Sequence, residues 1–141
     1  MERTRSLTSN YYRNSHAVIF VYAVDDMYSL TVLRSWVEDV NKDAPEALKF
    51  LVGNKMDLKD EGIQVDKKQA ESFRKNNELK KLYEVSAKDG AGVKDMFDDI
   101  AKMLVQNKQA TVKDTNAFAV IRAESEQASK KSSGDTHHCS C

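Results

Sequence analysis

The sequence predicts an α/β fold in which three parallel strands alternate with helices, as the C-terminal half of a doubly wound sheet. Three observations lead there. Short apolar runs at residues 17–24, 48–53 and 82–85 are each followed by a stretch with helical potential. Strands that alternate with helices of this length form parallel sheets through right-handed crossovers. The first run is uniformly apolar, the pattern of a strand buried on both faces. Such a strand normally has a neighbour on each side, and three strands leave two open edges. The pattern therefore fits half of a larger sheet.

Each element has its own local reason. Residues 17–24 are β-branched and aromatic and read as the first strand. Ser29 to Lys42 carries Leu30, Leu33, Trp36, Val37 and Val40 at spacings of three and four, one apolar stripe of a helix. Pro45 ends it. Leu48-Lys49-Phe50-Leu51-Val52-Gly53 reads as the second strand, and Asp66 has the residue type of an N-cap for a helix over 66–77. Leu82 to Val85 is the third strand. The final helix, Val93 to Asn107, has the stripe Val93, Met96, Phe97, Ile100, Met103 and Leu104. Ahead of the first strand, Glu2 to Arg13 is polar, with Leu7 and Tyr11 four apart, and reads as one weak helix or an ordered loop. Beyond Asn107 the composition turns polar, broken only by Ala117 to Ile121. Residues 1–107 are thus expected to form the partial domain and 108–141 a flexible tail.

Composition excludes several function classes. Twenty-two Lys and Arg balance twenty-two Asp and Glu, so no overall basic field exists to hold nucleic acid. The longest apolar run has eight residues, against the roughly 20 a membrane-spanning helix needs. Polar residues follow Met1-Glu2-Arg3-Thr4-Arg5 where a secretory signal would have an apolar segment. The only two cysteines, Cys139 and Cys141, lie in the last three residues. They cannot staple a core, and this usage fits a reducing cytosol.

Two polar motifs follow strands directly. Asn54-Lys55-Met56-Asp57 comes after the second strand and Ser86-Ala87-Lys88 after the third. In an open parallel sheet, ligands bind beyond the carboxyl ends of the strands. A carboxylate such as Asp57 can accept from the N1–H and 2-amino group of guanine, a donor pair that adenine lacks on that edge. The Ala87 N–H can donate to guanine O6. The stems of Lys55 and Lys88 can lie against the two faces of a base while their ammonium heads stay wet. Taken singly, the first motif also reads as a polar turn and the second as a helix start. Their joint position favours a nucleotide base.

These motifs, in this order and spacing, resemble Rab-type small GTPases of the Ras superfamily. The segment Glu2 to Arg13 is similar to the family's second switch. It is followed by Val18-Ile19-Phe20-Val21-Tyr22, the helix with Trp36, Val52-Gly53-Asn54-Lys55-Met56-Asp57-Leu58 and Glu84-Val85-Ser86-Ala87-Lys88. The resemblance implies a sheet of P-loop-NTPase type and GTP or GDP as ligand. It implies guanine contacts from Asn54, Lys55, Asp57, Ser86, Ala87 and Lys88, and a role in vesicle traffic. Departures are equally plain. The family's Gly-x-x-x-x-Gly-Lys-Ser/Thr phosphate loop and threonine-bearing first switch have no counterpart in this sequence, and Gly90-Ala91-Gly92-Val93-Lys94 has the wrong spacing. The Asp-x-x-Gly of the magnesium site would precede Glu2. Met1 falls where a water-orienting glutamine usually sits, Thr4 replaces an aromatic, and Ala23 replaces a common aspartate. The expectation is a chain truncated within the second switch, with no catalytic residue and no magnesium site. A base alone, at a ceiling near 0.3 kcal/mol per heavy atom, would bind with about 3 kcal/mol, millimolar or weaker.

The resemblance extends to the ending Cys139-Ser140-Cys141, similar to the double-cysteine terminus on which Rab proteins carry two geranylgeranyl groups. Two lipid chains anchor stably where one does not. The tail's net charge of +1 makes it no polybasic anchor. A zinc site with His137 and His138 is the rival reading, but four such closely spaced ligands cannot readily surround one ion tetrahedrally. Phe118, Val120 and Ile121 resemble the aliphatic element by which Rab tails dock on their escort protein, and read equally as a local hydrophobic cluster or a stray helical turn. Tyr11 and Tyr12 read either as an effector-facing patch or as plain core. By resemblance the partners are the escort and prenylation machinery, Rab effectors and, through lipid, the cytosolic face of intracellular membranes. The alternatives are a prenylated, non-enzymatic binding module that occupies escort or effector proteins, or an incomplete gene product.

Overall fold

A computed structural model describes residues 12–58 and 61–111, with side chains to residue 108. β1 (Ala17–Ala23), β2 (Leu48–Asn54) and β3 (Lys81–Glu84) form one sheet in the order β1-β2-β3, parallel throughout. The connections are α1 (Met27–Thr31) with α2 (Leu33–Asp43), then a 3₁₀ turn (Met56–Leu58) with α3 (Lys67–Asn76); α4 (Val93–Thr111) follows β3. The predicted α/β class and all three strands are present, with boundaries shifted by one residue. The helix expected over Ser29–Lys42 starts at Met27, where the Asp26 carboxylate accepts from the N–H groups of Tyr28 and Ser29. It is interrupted at Val32, whose backbone stays helical at φ −66°. The chain divides into two units, Met1–Leu104 and Val105–Cys141.

Pleat alternation sends the strand side chains to two faces. Phe20, Tyr22 and Leu51 point into a core with Leu30, Leu33, Val37, Val40, Ala70 and Leu79. Phe50 and Val52 point the other way, against Val85, Met96 and Ile100. The strand buried on both faces is therefore β2, with Phe50 and Leu51 wholly inaccessible. This corrects the expectation for β1: it is an edge strand among the described residues, and Val21 on its second face is 51% exposed. Phe97 departs from the expected stripe in the same way, at 55% exposure. It lies 100° around α4 from Met96, past the arc that faces β2.

Candidate functional site

The parallel register aligns the carboxyl ends of the strands, pairing Ala23 with Asn54 and Gly53 with Glu84. Both polar motifs therefore emerge side by side. Gly53 is needed just before the first of them, because a Cβ there would stand 2.6 Å from the Tyr22 hydroxyl. Tyr22 itself is 2% exposed, and burial, then Glu84 and Glu71, push its hydroxyl up to about 12. Lys55 adopts φ +71°, a left-handed conformation that turns the chain sharply into the 3₁₀ turn bearing Asp57. The Met56 N–H then donates to Val85 O at 3.1 Å, tying the first motif to the second.

The second motif is a loop folded on Ser86, which is only 1% exposed. Its N–H donates to Ala91 O, and its carbonyl accepts from the Gly90 N–H. The Ala91 N–H donates to Asp89 Oδ1 at 2.9 Å; this bond and the Ser86 hydroxyl hold the Asp89 carboxyl below its ordinary range. Gly90 and Gly92 take positive φ, and a Cβ on Gly92 would sit 3.0 Å from Glu84 O. Glycine is what allows the loop to close against the end of β3.

Side chains join the two loops. Ser86 Oγ donates to Asp57 Oδ1 at 2.7 Å, and Asn54 Oδ1 accepts from the Ala87 N–H at 3.0 Å. Lys55 Nζ donates to Asp25 Oδ2 at 3.0 Å. Asn54, Lys55, Asp57, Ser86 and Ala87 thus form one connected cluster, with exposed Lys88 beside it. One detail departs from the sequence reading. The Ala87 N–H expected to meet a base oxygen already serves Asn54, whereas the Lys88 N–H donates to no acceptor among the described residues. Sequence reasoning also missed Asp25, two residues past β1, where no motif marked it. Tyr12 packs partly buried against the core rather than standing free. Tyr11, Phe118, Val120, Ile121, Cys139 and Cys141 lie outside the described residues.

Three concave surfaces are formed among the described residues, the last of them bordering the first motif at Met56. One of about 480 Å³ is lined by Lys81, Tyr83, Asp95 and Asp99 among others, one of about 300 Å³ by Arg34, Phe73, Asn76 and Asn77, and one of about 370 Å³ by Val24, Met56, Ile63 and Val65 with Asp66, Lys67 and Glu84. In the first, Lys81 Nζ and the Tyr83 hydroxyl both donate to Asp99. Those bonds, Lys81 first, hold the Asp99 carboxyl below its ordinary range, and burial with the Asp99 contact raises Tyr83. Among the described residues no group of three or more His, Cys, Asp or Glu could hold a metal ion, and no helix is long and apolar enough to cross a membrane.

A parallel sheet with polar loops converging at the carboxyl ends of its strands is the class of α/β protein that binds ligands there. The family model described as "Ras family" matches residues 1–106, and the chain belongs to that family, to its Rab type. It is 39% identical over 107 residues to the GTP-binding protein YPT1 of Saccharomyces cerevisiae, covering 75% of this chain and 51% of that relative. The Ras-related protein Rab-1D of Dictyostelium discoideum is 36% identical over 115 residues, 81% of this chain and 55% of its own length. The Ras-related protein Rab-33A of Mus musculus is 39% identical over 115 residues, 78% and 48% respectively. The chain spans about half the length of the curated relatives it matches.

Proposed function

We propose that this chain recognises the guanine base of GTP or GDP through the loops after β2 and β3. The Ser86–Asp57 hydrogen bond carries the reading: a buried hydroxyl from one strand end fixes Asp57 Oδ1 from the next. The fixed carboxylate then presents an acceptor edge matched to the N1–H and 2-amino group of guanine. Asn54 braces the second loop through Ala87, and the Lys88 N–H is the backbone donor left for O6. The stems of Lys55 and Lys88 flank the ring. The residues present fit a base. They do not fit its phosphates or magnesium, since the sequence contains no Gly-x-x-x-x-Gly-Lys-Ser/Thr loop. No hydrolytic step follows from them.

The test is titration with guanosine and adenosine, followed by amide NMR. Guanosine should bind in the millimolar range and more tightly than adenosine, and Asp57→Ala should abolish the difference. A preference that survives Asp57→Ala would reject the assignment. As a Rab-type chain, its proposed setting is membrane traffic, with Rab escort, prenylation and effector proteins as partners. Cys139 and Cys141 would carry two prenyl groups that hold it on the cytosolic face of intracellular membranes. Mass spectrometry of the C-terminal peptide from cells should show two prenyl additions; unmodified cysteines in a wholly soluble pool would reject that part.

A further inference from the structure

Asp25 stands outside both motifs, yet it touches one of them. The residue before it, Val24, is anchored on two sides. The Val24 N–H donates to Asn54 O at 3.1 Å, and Val24 O accepts from the N–H groups of Gln64 and Val65 at 2.8 and 3.0 Å. From there the carboxylate reaches the Lys55 ammonium at 3.0 Å through Oδ2. Its other oxygen, Oδ1, is buried and has no hydrogen-bond partner. A buried, unpartnered carboxylate oxygen is costly, and a single nearby cation has to compensate it. Lys55 is that cation. The Lys55 side chain is 50% exposed, so without Asp25 its four-carbon stem would sample many rotamers.

We propose that Asp25 is a positioning residue of the base site: it holds the Lys55 head so that the stem stays in one path, as a platform beside guanine. The assignment rests on the base-site reading above. Lys55 is already fixed at its backbone by the left-handed turn. Asp25 fixes the other end. A side chain pinned at both ends loses little freedom when a flat base settles on it, which is how pre-organisation improves affinity.

Guanosine is the probe, because a neutral ligand does not respond to the protein's changed net charge. At low salt, Asp25→Ala should weaken guanosine binding about two- to fivefold, the range of a partly exposed ion pair. Near 1 M salt the gap between the two proteins should close, because the Debye length falls to about 3 Å. A purely structural role would leave the gap unchanged by salt. Asp25→Glu should restore part of the affinity. Asp25→Ala and Lys55→Met should be non-additive in a double-mutant cycle. Asp25→Asn, which keeps the shape, guards against a folding defect and should weaken binding as Asp25→Ala does. Equal affinity of wild type and Asp25→Ala at low salt, while Asp57→Ala still abolishes guanine preference, overturns the role of Asp25 alone. Guanine preference retained in Asp57→Ala overturns the base-site reading and this assignment with it.

Discussion

Gly53→Ala tests the packing that delivers the first motif to the site. Gly53 lies in the central strand immediately before Asn54 and pairs with Tyr22 of β1. An added Cβ would meet the Tyr22 hydroxyl oxygen at 2.6 Å and Cζ at 2.8 Å, closer than carbon atoms tolerate. The ring cannot swing aside, because Tyr22 is 2% exposed in the core. Overpacking of this kind costs about 1–3 kcal/mol. Replacing a strand glycine gains about 0.5–1 kcal/mol in backbone entropy, so the net loss spans about 0–2.5 kcal/mol and centres near 1 kcal/mol. Urea denaturation at low micromolar concentration, followed by the fluorescence of Trp36, should show a midpoint lowered by about 1 M. Trp36 is the single tryptophan and packs against this core. Tyr22→Phe removes the atom at 2.6 Å and leaves the one at 2.8 Å, so it should rescue Gly53→Ala in part, with a coupling above about 0.5 kcal/mol. Unchanged or increased stability of Gly53→Ala would refute the reasoning.

Tyr22 also makes stability depend on alkaline pH. Its folded-state value of about 12 exceeds the ordinary 10.0, so the unfolded chain loses this proton first. The contribution is complete below pH 10 and is lost as pH rises towards 12, by roughly 3 kcal/mol in all. Tyr22→Phe should flatten that part of the slope in denaturation series; an identical slope would remove Tyr22 as its source. Asp66 caps α3 reciprocally with Gln69, through bonds of 2.8 and 2.9 Å. Asp66→Ala should cost about 1 kcal/mol by the same urea assay, and no measurable loss would mean that the capping box contributes little. Among the described residues β1 has no partner on its outer edge, and it carries an exposed Val21. The isolated chain should therefore self-associate, and Val21→Lys should reduce its size in light scattering by opposing edge-to-edge pairing. A monomeric wild type would contradict this.

The element order was legible because short apolar runs and the 3.6-residue helix repeat are local properties. The helix stripe at Leu30, Leu33, Val37 and Val40 is buried as its spacing implies. Asp66 was legible as a cap because capping depends on neighbours three residues away. Which strand is covered on both faces was not legible. β1 and β2 are both apolar, and only the sheet order puts β2 in the middle. The positions of the two motifs followed from strand ends alone. The bond between Asn54 and Ala87 spans 33 residues, and the ion pair between Asp25 and Lys55 spans 30. Nothing in local spacing marks either. Asp25 lies beside Asp26, whose capping role gives it a local explanation, and the pair reads as an ordinary acidic turn until the register is known.

The central claim is that the base sits where the two motifs meet, and amide NMR during guanosine titration tests it most directly. The account predicts that the largest shifts fall on Lys55 to Leu58 and Ser86 to Lys88, with adenosine producing much smaller ones. Shifts of equal size from both nucleosides, or shifts concentrated around Lys81, Tyr83 and Asp99 on the other side of β3, would contradict it.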